Sequence, residues 1–178
     1  MKNYFLKIPF VFFSIILLIF FYLLIIERDP KEIPSALLNK KVKKFETKSL
    51  FNNQKFVSSQ EFGESVVLVN FFATWCKPCR DEHKYIKKFS EEKNLKIIGI
   101  NYKDSPEKAI EWLKEIGNPY SNVAIDKKGK IAIDWGVYGI PETFIVDSKS
   151  TIKFRYVGPI TSKVYKKFNL LIKEIKND

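Results

Sequence analysis

The pattern of apolar and polar positions divides this chain into an apolar first block and a longer, mixed remainder. Ile8 to Ile26 contains no charged residue and consists almost entirely of aliphatic and aromatic side chains. As a helix this block would span about 28 Å, close to the thickness of a bilayer core. Lys2 and Lys7 precede it, whereas Glu27 to Asp29 after it carry no cationic excess. The pattern predicts a membrane anchor with its amino terminus in the cytoplasm and the rest of the chain outside.

A cleaved signal peptide is the alternative interpretation of the first block. The apolar region of a signal peptide is usually shorter, about 7–15 residues, and ends in a small-x-small site. Tyr22 to Glu27 offers no such site. We therefore expect an uncleaved anchor over residues 1–26 and a charged, proline-containing linker over residues 27–40. Under either interpretation residues 41–178 are exported, and they are numerous enough for one domain with a real core.

Strand-like and helix-like patterns alternate through that domain. Val66–Phe72 and Lys96–Tyr102 are apolar at successive positions, as expected for central strands buried on both faces. Apolar residues at helical spacing predict helices from Arg80 to about Lys93, from Ser105 to Gly117, from Lys130 to Trp135 and from about Ser162 to Ile175.

Shorter strands complete the predicted sheet. They are expected within residues 43–56, at Val123–Ile125, and in a hairpin of Thr143–Val146 and Ile152–Val157. Because strands and helices alternate first, and a hairpin and a helix end the chain, the order predicts an α/β fold. We expect a central mixed sheet with helices on both faces.

Two cysteines, Cys76 and Cys79, stand where the first central strand turns into a helix. Their C-x-x-C spacing is that of a redox-active dithiol. The amino terminus of a helix stabilises an anion, so a thiolate is favoured at this place.

Other uses of the two cysteines fit the sequence less well. With a single histidine, His83, they cannot complete a four-ligand zinc site without several carboxylates. A c-type haem attachment site would need histidine directly after Cys79, where Arg80 stands. A permanent structural disulfide stays possible, but it would close so small a loop that it restricts the unfolded chain little. We favour a redox pair.

The chain is basic, with a formal net charge of +11. A basic domain often binds nucleic acid, but an exported domain seldom meets it. We therefore expect a lysine-rich solvated surface and no nucleic-acid partner, with attraction to anionic lipid headgroups near the anchor as a weaker alternative.

Four segments of the chain resemble one known family, the membrane-anchored thioredoxin-like proteins of bacterial cytochrome c maturation, called CcmG/DsbE. They are Trp75–His83, Gly99–Asp104, Gly117–Tyr120 and Trp135–Phe144. The first is typical of thioredoxin-like proteins broadly, and the last is far more specific to this family. The resemblance covers the chain from about residue 35 to its end. Lys84 and the pair Lys149–Ser150 depart from the family pattern, in which proline and glycine are frequent.

The resemblance implies a thioredoxin-like fold and a protein disulfide reductase, that is, a thiol-disulfide oxidoreductase. The implied substrate is apocytochrome c, reduced at its C-x-x-C-H motif, or a haem-ligation protein. The implied electron donor is a membrane thiol transporter. The implied location is the bacterial inner (cytoplasmic) membrane, crossed once, with the catalytic domain facing the periplasm. We expect no cofactor and no metal.

The resemblance also implies roles at the dithiol. Cys76 would attack the substrate and Cys79 would resolve the mixed disulfide, leaving the redox-active disulfide Cys76–Cys79. Trp75 would cover the thiol, and Pro78 would stiffen the loop.

A second group of residues is implied to bind substrate and move protons. Pro141 matches the family's cis-proline, whose bond would present Ile140 to an extended substrate, with Tyr138 as a further substrate-binding residue. Asn70 stands where ordinary thioredoxins have a buried aspartate, so Glu82 and Glu142 become candidates for tuning thiol pKa values or passing the proton. Each glutamate is alternatively a surface carboxylate, and His83 is expected to be surface packing.

Two other functions remain open from the sequence. One is an anchored thioredoxin-like reductant for other exported proteins. The other is a non-catalytic scaffold that holds apocytochrome c without reducing it.

Overall fold

The computed structural model describes residues 4–25, 37–93 and 95–177, and the chain divides into two compact units, Met1–Pro30 and Lys31–Asp178. The first unit contains one helix, α1 (Tyr4–Ile25), with Pro9 inside it. Within the described ranges, no helix is both long enough and apolar enough to cross a membrane. Residues 26–36, which include the end of the predicted anchor and most of the predicted linker, lie outside the described residues. The boundaries of anchor, linker and domain stay predictions.

The second unit contains seven strands and four helices among its described residues. The strands are β1 (Glu46–Lys48), β2 (Phe56–Ser58), β3 (Val67–Phe72), β4 (Lys96–Tyr102), β5 (Asn122–Asp126), β6 (Glu142–Val146) and β7 (Ile152–Val157). The helices are α2 (Lys77–Ser90), α3 (Pro106–Ile116), α4 (Lys130–Asp134) and α5 (Ser162–Asn177). A single 3₁₀ turn, Ser59–Glu61, follows β2.

Five of these strands form the central sheet, in the order β5-β4-β3-β6-β7. β3, β4 and β5 are parallel, and β6 and β7 are antiparallel to their neighbours. Parallel neighbours need crossover connections, which α2 and α3 supply. β1 and β2 form a separate antiparallel pair. The predicted mixed sheet is confirmed.

Side chains of β3 alternate between two apolar layers, as the pleat of a strand requires. Leu68 and Phe72 pack with residues of α2, α3 and α5 in a cluster that also contains both cysteines. Val69 and Phe71 pack on the other side with α4 and Trp135. We call these two sides of the sheet the cysteine face and the Trp135 face. Helices therefore cover both faces, as predicted.

The boundaries of α2 differ from the sequence prediction. The helix begins at Lys77 rather than Arg80, because Cys76 is its N-cap and Pro78 lies in its first turn, where proline is tolerated. It ends at Ser90 rather than near Lys93. The C-x-x-C motif is thus the first turn of the helix itself, and α2 presents the cysteines from its amino-terminal end.

Candidate active site

The two cysteines form a disulfide at the start of α2. The Cys76–Cys79 bond has an S–S distance of 2.02 Å and a Cα–Cα distance of 5.3 Å. Cys76 Sγ also accepts a hydrogen bond from the Cys79 N–H (3.1 Å), so the sulfur caps the helix. An anion at this atom would gain from the same N–H group and from the helix dipole. The site therefore favours a thiolate at Cys76 when the pair is reduced.

Charges around the first turn agree with that preference. The first turn of α2 contains no acidic residue, and Lys77 and Arg80 are exposed on it. The Arg80 guanidinium lies 5.5 Å from the centre of the Trp112 ring. Both cations add positive potential near the Cys76 sulfur.

The loop that precedes Cys76 is fastened to the loop between β4 and α3. The Thr74 N–H donates to Asp104 Oδ2 (2.7 Å), and the Thr74 hydroxyl donates to Asp104 Oδ1 (2.8 Å). Asn101 Nδ2 and the Ser105 N–H donate to the same carboxylate, at 3.0 and 2.9 Å. Trp75 Nε1 donates to the carbonyl of Lys103 (3.2 Å). The sequence analysis gave Asp104 no role, although an acid two residues after the buried strand β4 was a usable signal.

Trp75 itself is largely open to solvent. Its side chain is 59% exposed, and its ring lies 6.4 Å from that of Tyr102. An exposed aromatic ring next to Cys76 offers a surface on which a substrate can pack.

The predicted substrate-binding residues lie in the segment that leads into β6. The Ile140–Pro141 peptide bond is cis. Ile140 is half-buried and packs against the cluster that contains both cysteines, and Tyr138 is 65% exposed. Ile140 therefore packs against the apolar cluster that contains both cysteines, and Pro141 and Tyr138 lie in the same segment of the chain.

Glu142 is buried and paired with Arg155. The sequence analysis expected it either to act on the thiols or to be a surface carboxylate. Its Oε2 accepts from Arg155 Nε and Nη2, each at 2.8 Å. Its Oε1 accepts from the backbone N–H groups of Tyr138 (3.2 Å) and Gly139 (3.4 Å). The carboxylate is thus occupied in holding the loop before the cis-proline.

Strand alternation places Glu142 away from the thiols. Glu142 pairs with Phe71 across the β3–β6 ladder, and Thr143 pairs with Asn70. Phe71 belongs to the Trp135 face, so Glu142 points to that face, whereas both cysteines belong to the other. We therefore assign Glu142 to loop support rather than to tuning of thiol pKa values.

Arg155 is the main residue that the sequence prediction missed. It is buried on β7, and its Nη2 also donates to the Gly136 carbonyl (2.8 Å). Its guanidinium lies 5.3 Å from the centre of the Tyr138 ring. Arg155 and Glu142 together bind the backbone at residues 136, 138 and 139. An arginine between the apolar neighbours Phe154 and Tyr156 was the available signal.

Glu82 is the acid on the cysteine face, and it is buried rather than on the helix surface. It lies one turn beyond Cys79 on α2 and is 1% exposed. Its Oε1 accepts from Asn70 Nδ2 and its Oε2 from the Ile160 N–H, both at 2.8 Å. Burial raises the pKa of Glu82 to about 8, against the two hydrogen bonds, which lower it. A carboxyl group with this pKa can give or take a proton near neutral pH.

His83 is also buried, which corrects the expectation of surface packing. Its Nε2 lies 2.8 Å from the Gly117 carbonyl, and its ring meets the Trp112 ring edge-on at 5.1 Å. Burial lowers the pKa of His83; the bond to Gly117 opposes this, and Lys87 and Arg80 add to it. A neutral histidine packed in this way joins α2 to the end of α3.

In the part of the chain that the structure describes, no group of three or more histidine, cysteine or acidic side chains could hold a metal ion. The chemistry that the described residues do support is thiol-disulfide exchange. The described residues hold a cysteine pair at a helix terminus, with a buried acid one turn away, which is an arrangement suited to this exchange.

Comparison with known proteins agrees with this chemistry. The Redoxin family matches residues 37–169. The thiol:disulfide interchange protein DsbE of Haemophilus influenzae is 44% identical over 137 residues, which cover 77% of this chain and 75% of that protein. CycY of Rhizobium leguminosarum, also a thiol:disulfide interchange protein, is 52% identical over 97 residues, 54% of this chain and 52% of that protein.

A solved structure shows the same fold. The crystal structure of a DsbF homologue from Corynebacterium diphtheriae superposes with a TM-score of 0.68 at 21% identity, covering 83% of this chain and 94% of that one. The fold is thus thioredoxin-like. The chain belongs to the Redoxin family and, within it, to the thioredoxin-like CcmG/DsbE thiol:disulfide interchange proteins, and it is a thiol-disulfide oxidoreductase.

Proposed function

We propose that this oxidoreductase works as a reductant during cytochrome c maturation. Its substrate would be the disulfide of the C-x-x-C-H motif of apocytochrome c, or that of a haem-ligation protein. Haem attachment needs free thiols, and the exported side of a bacterial membrane tends to oxidise them. A dedicated reductant at that place removes the conflict.

The observation that carries the proposal is the loop before the cis-proline, whose backbone is held in place by side-chain hydrogen bonds. Tyr138, Ile140 and Pro141 lie in the family-specific segment, and the Glu142–Arg155 pair fixes its backbone. An extended peptide can pair with the backbone at Ile140 by strand addition, as in other peptide-binding sheets. Tyr138 and Trp75 then offer exposed aromatic surfaces, which are typical anchors for a bound chain.

The first chemical step uses Cys76 as the nucleophile. Its thiolate attacks one sulfur of the substrate disulfide and forms a mixed disulfide. The other substrate sulfur leaves as a thiolate and takes a proton from solvent. Lys77, Arg80 and the Cys79 N–H all favour the attacking anion.

The second step uses Cys79 and Glu82. Cys79 gives its proton to the Glu82 carboxylate and attacks Cys76 Sγ, which releases the second substrate thiolate and leaves the Cys76–Cys79 disulfide. Residues three apart on a helix are neighbours, with about 5–6 Å between their Cβ atoms. The Glu82 pKa of about 8 lies near the ~8.5 of an ordinary cysteine. Burial thus makes the Glu82 carboxylate a stronger base than an exposed one, which favours its taking this proton.

The location belongs to the same proposal. The charge-free stretch Ile8–Ile26, with Lys2 and Lys7 before it, supports a single membrane crossing in the bacterial inner membrane with the catalytic domain in the periplasm. A membrane thiol transporter would return two electrons to the Cys76–Cys79 disulfide after each cycle. An anchor would keep the reductant beside membrane-bound maturation components.

The test is to trap the substrate in the native host with Cys79→Ser. Without the resolving thiol, the mixed disulfide on Cys76 persists, and the attached protein can be identified by mass spectrometry. We expect apocytochrome c or a haem-ligation component. Cys76→Ser is the matched control, because it removes the attacking thiol and should trap far less of this substrate.

Other results would favour the alternatives. Many unrelated exported proteins on Cys76 would indicate a general anchored reductant. Retention of cytochrome c maturation by the Cys76→Ser, Cys79→Ser double variant would contradict the reductant and favour a non-catalytic scaffold.

A further inference from the structure

The segment Gly117–Tyr120, one of the four that carry the family resemblance, has no part in the chemistry described above. Its last residue nevertheless reaches the centre of the site. The Tyr120 hydroxyl lies 2.8 Å from Asn70 Oδ1, and the residue is only 6% exposed. Asn70 is the residue that donates to Glu82. Tyr120 is thus linked to Glu82 through a single side chain.

Two contacts hold Tyr120 in place, and a glycine leaves room for its ring. Its ring stacks on Phe72, with centroids 4.9 Å apart and planes at 13°. Its backbone N–H donates a hydrogen bond to Asn118 Oδ1 at 3.1 Å. Gly99 leaves room for both rings, because a Cβ there would lie 3.0 Å from Tyr120 Cγ and 2.9 Å from Phe72 Cε1. The position of the hydroxyl is therefore set by packing and not by its hydrogen bond alone.

The donor and acceptor pattern around Asn70 depends on this hydroxyl. Tyr120 donates its hydrogen to Oδ1, and the two hydrogens of Nδ2 then point to Glu82 Oε1 (2.8 Å) and Thr143 Oγ1 (3.0 Å). The reversed amide would turn the phenolic hydrogen towards an NH₂ group and Oδ1 towards Glu82 Oε1. That orientation is unfavourable whenever Glu82 is ionised.

We propose that Tyr120 is a positioning residue, which fixes the Asn70 amide so that Nδ2 supports the ionised form of Glu82. The effect on turnover rests on the proposed role of Glu82 as acceptor of the Cys79 proton. The orientation of the Asn70 amide by Tyr120 does not depend on that role of Glu82.

Among the residues around Glu82, Tyr120 is the one that sets the direction of the Asn70 amide. On α2 the titratable neighbours of Glu82 are Cys79, one turn earlier, and His83. From β3 and from the segment before α5 it receives only neutral donors, Asn70 Nδ2 and the Ile160 N–H. Burial raises the pKa of Tyr120 well above its ordinary value, and the Glu82 charge adds to this. The phenol therefore stays protonated and remains a donor throughout the range in which Glu82 titrates.

Two thiolate-release phases separate the two half-reactions. Reduced protein is mixed with the disulfide reagent 5,5′-dithiobis(2-nitrobenzoate) from pH 6 to pH 9.5. The first release of the coloured thiolate reports attack by Cys76, and the second reports resolution by Cys79. In the wild type we expect the second rate to rise with pH through the titration of Glu82, and Glu82→Gln to slow this phase near pH 7 and to leave only the rise that comes from ionisation of the Cys79 thiol itself.

Tyr120→Phe removes the hydroxyl and keeps the stacked ring. We expect the midpoint of the second phase to move up by about one pH unit, and its rate at pH 7 to fall by up to about tenfold. The first phase should be unchanged. Tyr165→Phe, a hydroxyl removed elsewhere in the same apolar cluster, is the matched control. In the Glu82→Gln background, Tyr120→Phe should have no further effect.

A direct titration distinguishes the two proposals. The pKa of the Glu82 carboxyl is followed by carbon-13 NMR in the disulfide form of wild type and Tyr120→Phe. An upward shift in the variant supports the positioning role, even if the second kinetic phase proves independent of Glu82. An unchanged pKa in a folded variant overturns it. Should Tyr120→Phe fail to fold, Asn118→Ala loosens the same residue and should raise the pKa in the same direction.

Discussion

At the scale of single residues, two buried glutamates of this protein differ through their surroundings. Glu142 meets an arginine and two backbone N–H groups, so its carboxyl oxygens are held in an ion pair and in backbone hydrogen bonds. Glu82 meets only neutral donors in an apolar cluster. The same type of side chain is therefore one half of an ion pair on one face of the sheet and, by our proposal, a proton acceptor on the other.

Glu82 should make the stability of the protein depend on pH. Its pKa rises from an ordinary 4.5 to about 8 on folding, so the folded protein holds this proton more tightly than the unfolded chain does. The free energy of unfolding must then fall as pH rises from about 4.5 to about 8. At about 1.4 kcal/mol per pH unit, the loss is at most about 5 kcal/mol. Glu82→Gln, measured by urea unfolding of the disulfide form at pH 5 and pH 8.5, should remove most of this loss.

An exposed glutamate gives the matched control for that measurement. Glu92→Gln, just beyond α2, should leave the difference between the two pH values as it is in the wild type. If Glu82→Gln also left the difference between the two pH values unchanged, the raised pKa of a buried Glu82 would be contradicted.

The residues whose roles could be predicted depend on local sequence, whereas the roles that were missed depend on contacts between distant parts of the chain. Cys76 and Cys79 follow from spacing and from the strand-to-helix junction, which are local. The burial of Glu82 depends on Asn70 and on Ile160, which lies 78 positions further along the chain. Asp104 and Arg155 act on backbone groups of loops distant in sequence, so the sequence pattern around each residue carried little information about its role.

At the scale of elements, the β6–β7 hairpin supports the loop of residues 136–139, which by our proposal binds the substrate. The ladder brings Arg155 next to Glu142 and below the segment 136–139. By our proposal the substrate touches the backbone of this segment, which Arg155 and Glu142 hold in place without touching the substrate themselves. The hairpin is in this sense part of the site.

Removing one partner of that buried pair should be costly. Arg155→Met leaves the Glu142 carboxylate buried without its cation, and we expect a loss of about 3–5 kcal/mol in the free energy of unfolding. The double variant Arg155→Met, Glu142→Gln should recover part of it, since the unpaired charge is gone. Urea unfolding at pH 7 measures all three proteins.

Lys153→Met supplies the comparison on the same strand. Its Nζ lies 3.6 Å from Asp147 Oδ2, with the lysine side chain 35% exposed and the aspartate side chain 10% exposed, and an ion pair whose cation reaches solvent contributes about 0–1 kcal/mol. Equal losses for Arg155→Met and Lys153→Met would contradict the assignment of Glu142 and Arg155 as the support of the loop.

The elements themselves were largely predictable. Apolar runs and helical stripes located every long strand and helix of the second unit, because each is buried on both faces or along one side. The start of α2 was placed three residues late, since Cys76 caps the helix with its sulfur instead of a usual capping side chain. The order β5-β4-β3-β6-β7 was not predicted, because pairing between strands is decided by crossovers and not by local period.

At the scale of the whole molecule, the second unit carries the chemistry within itself. Both apolar clusters and the disulfide lie in it, and the Redoxin match begins at residue 37. The first unit, by our proposal, contributes only a place in the membrane. The second unit alone should therefore keep the redox properties of the full chain but lose most of its biological activity.

A chain of residues 31–178 tests this separation. Purified, it should fold with a reduction potential within about 15 mV of that of the full chain, because 30 mV corresponds to about 1.4 kcal/mol for two electrons. Exported behind a cleavable signal in a host that lacks the full protein, it should restore little cytochrome c maturation, since it is no longer held beside its partners. The same residues behind an unrelated transmembrane helix should restore it. Full maturation by the unanchored form would show that the anchor is dispensable, and failure of the re-anchored form would show that residues 1–30 do more than hold the domain at the membrane.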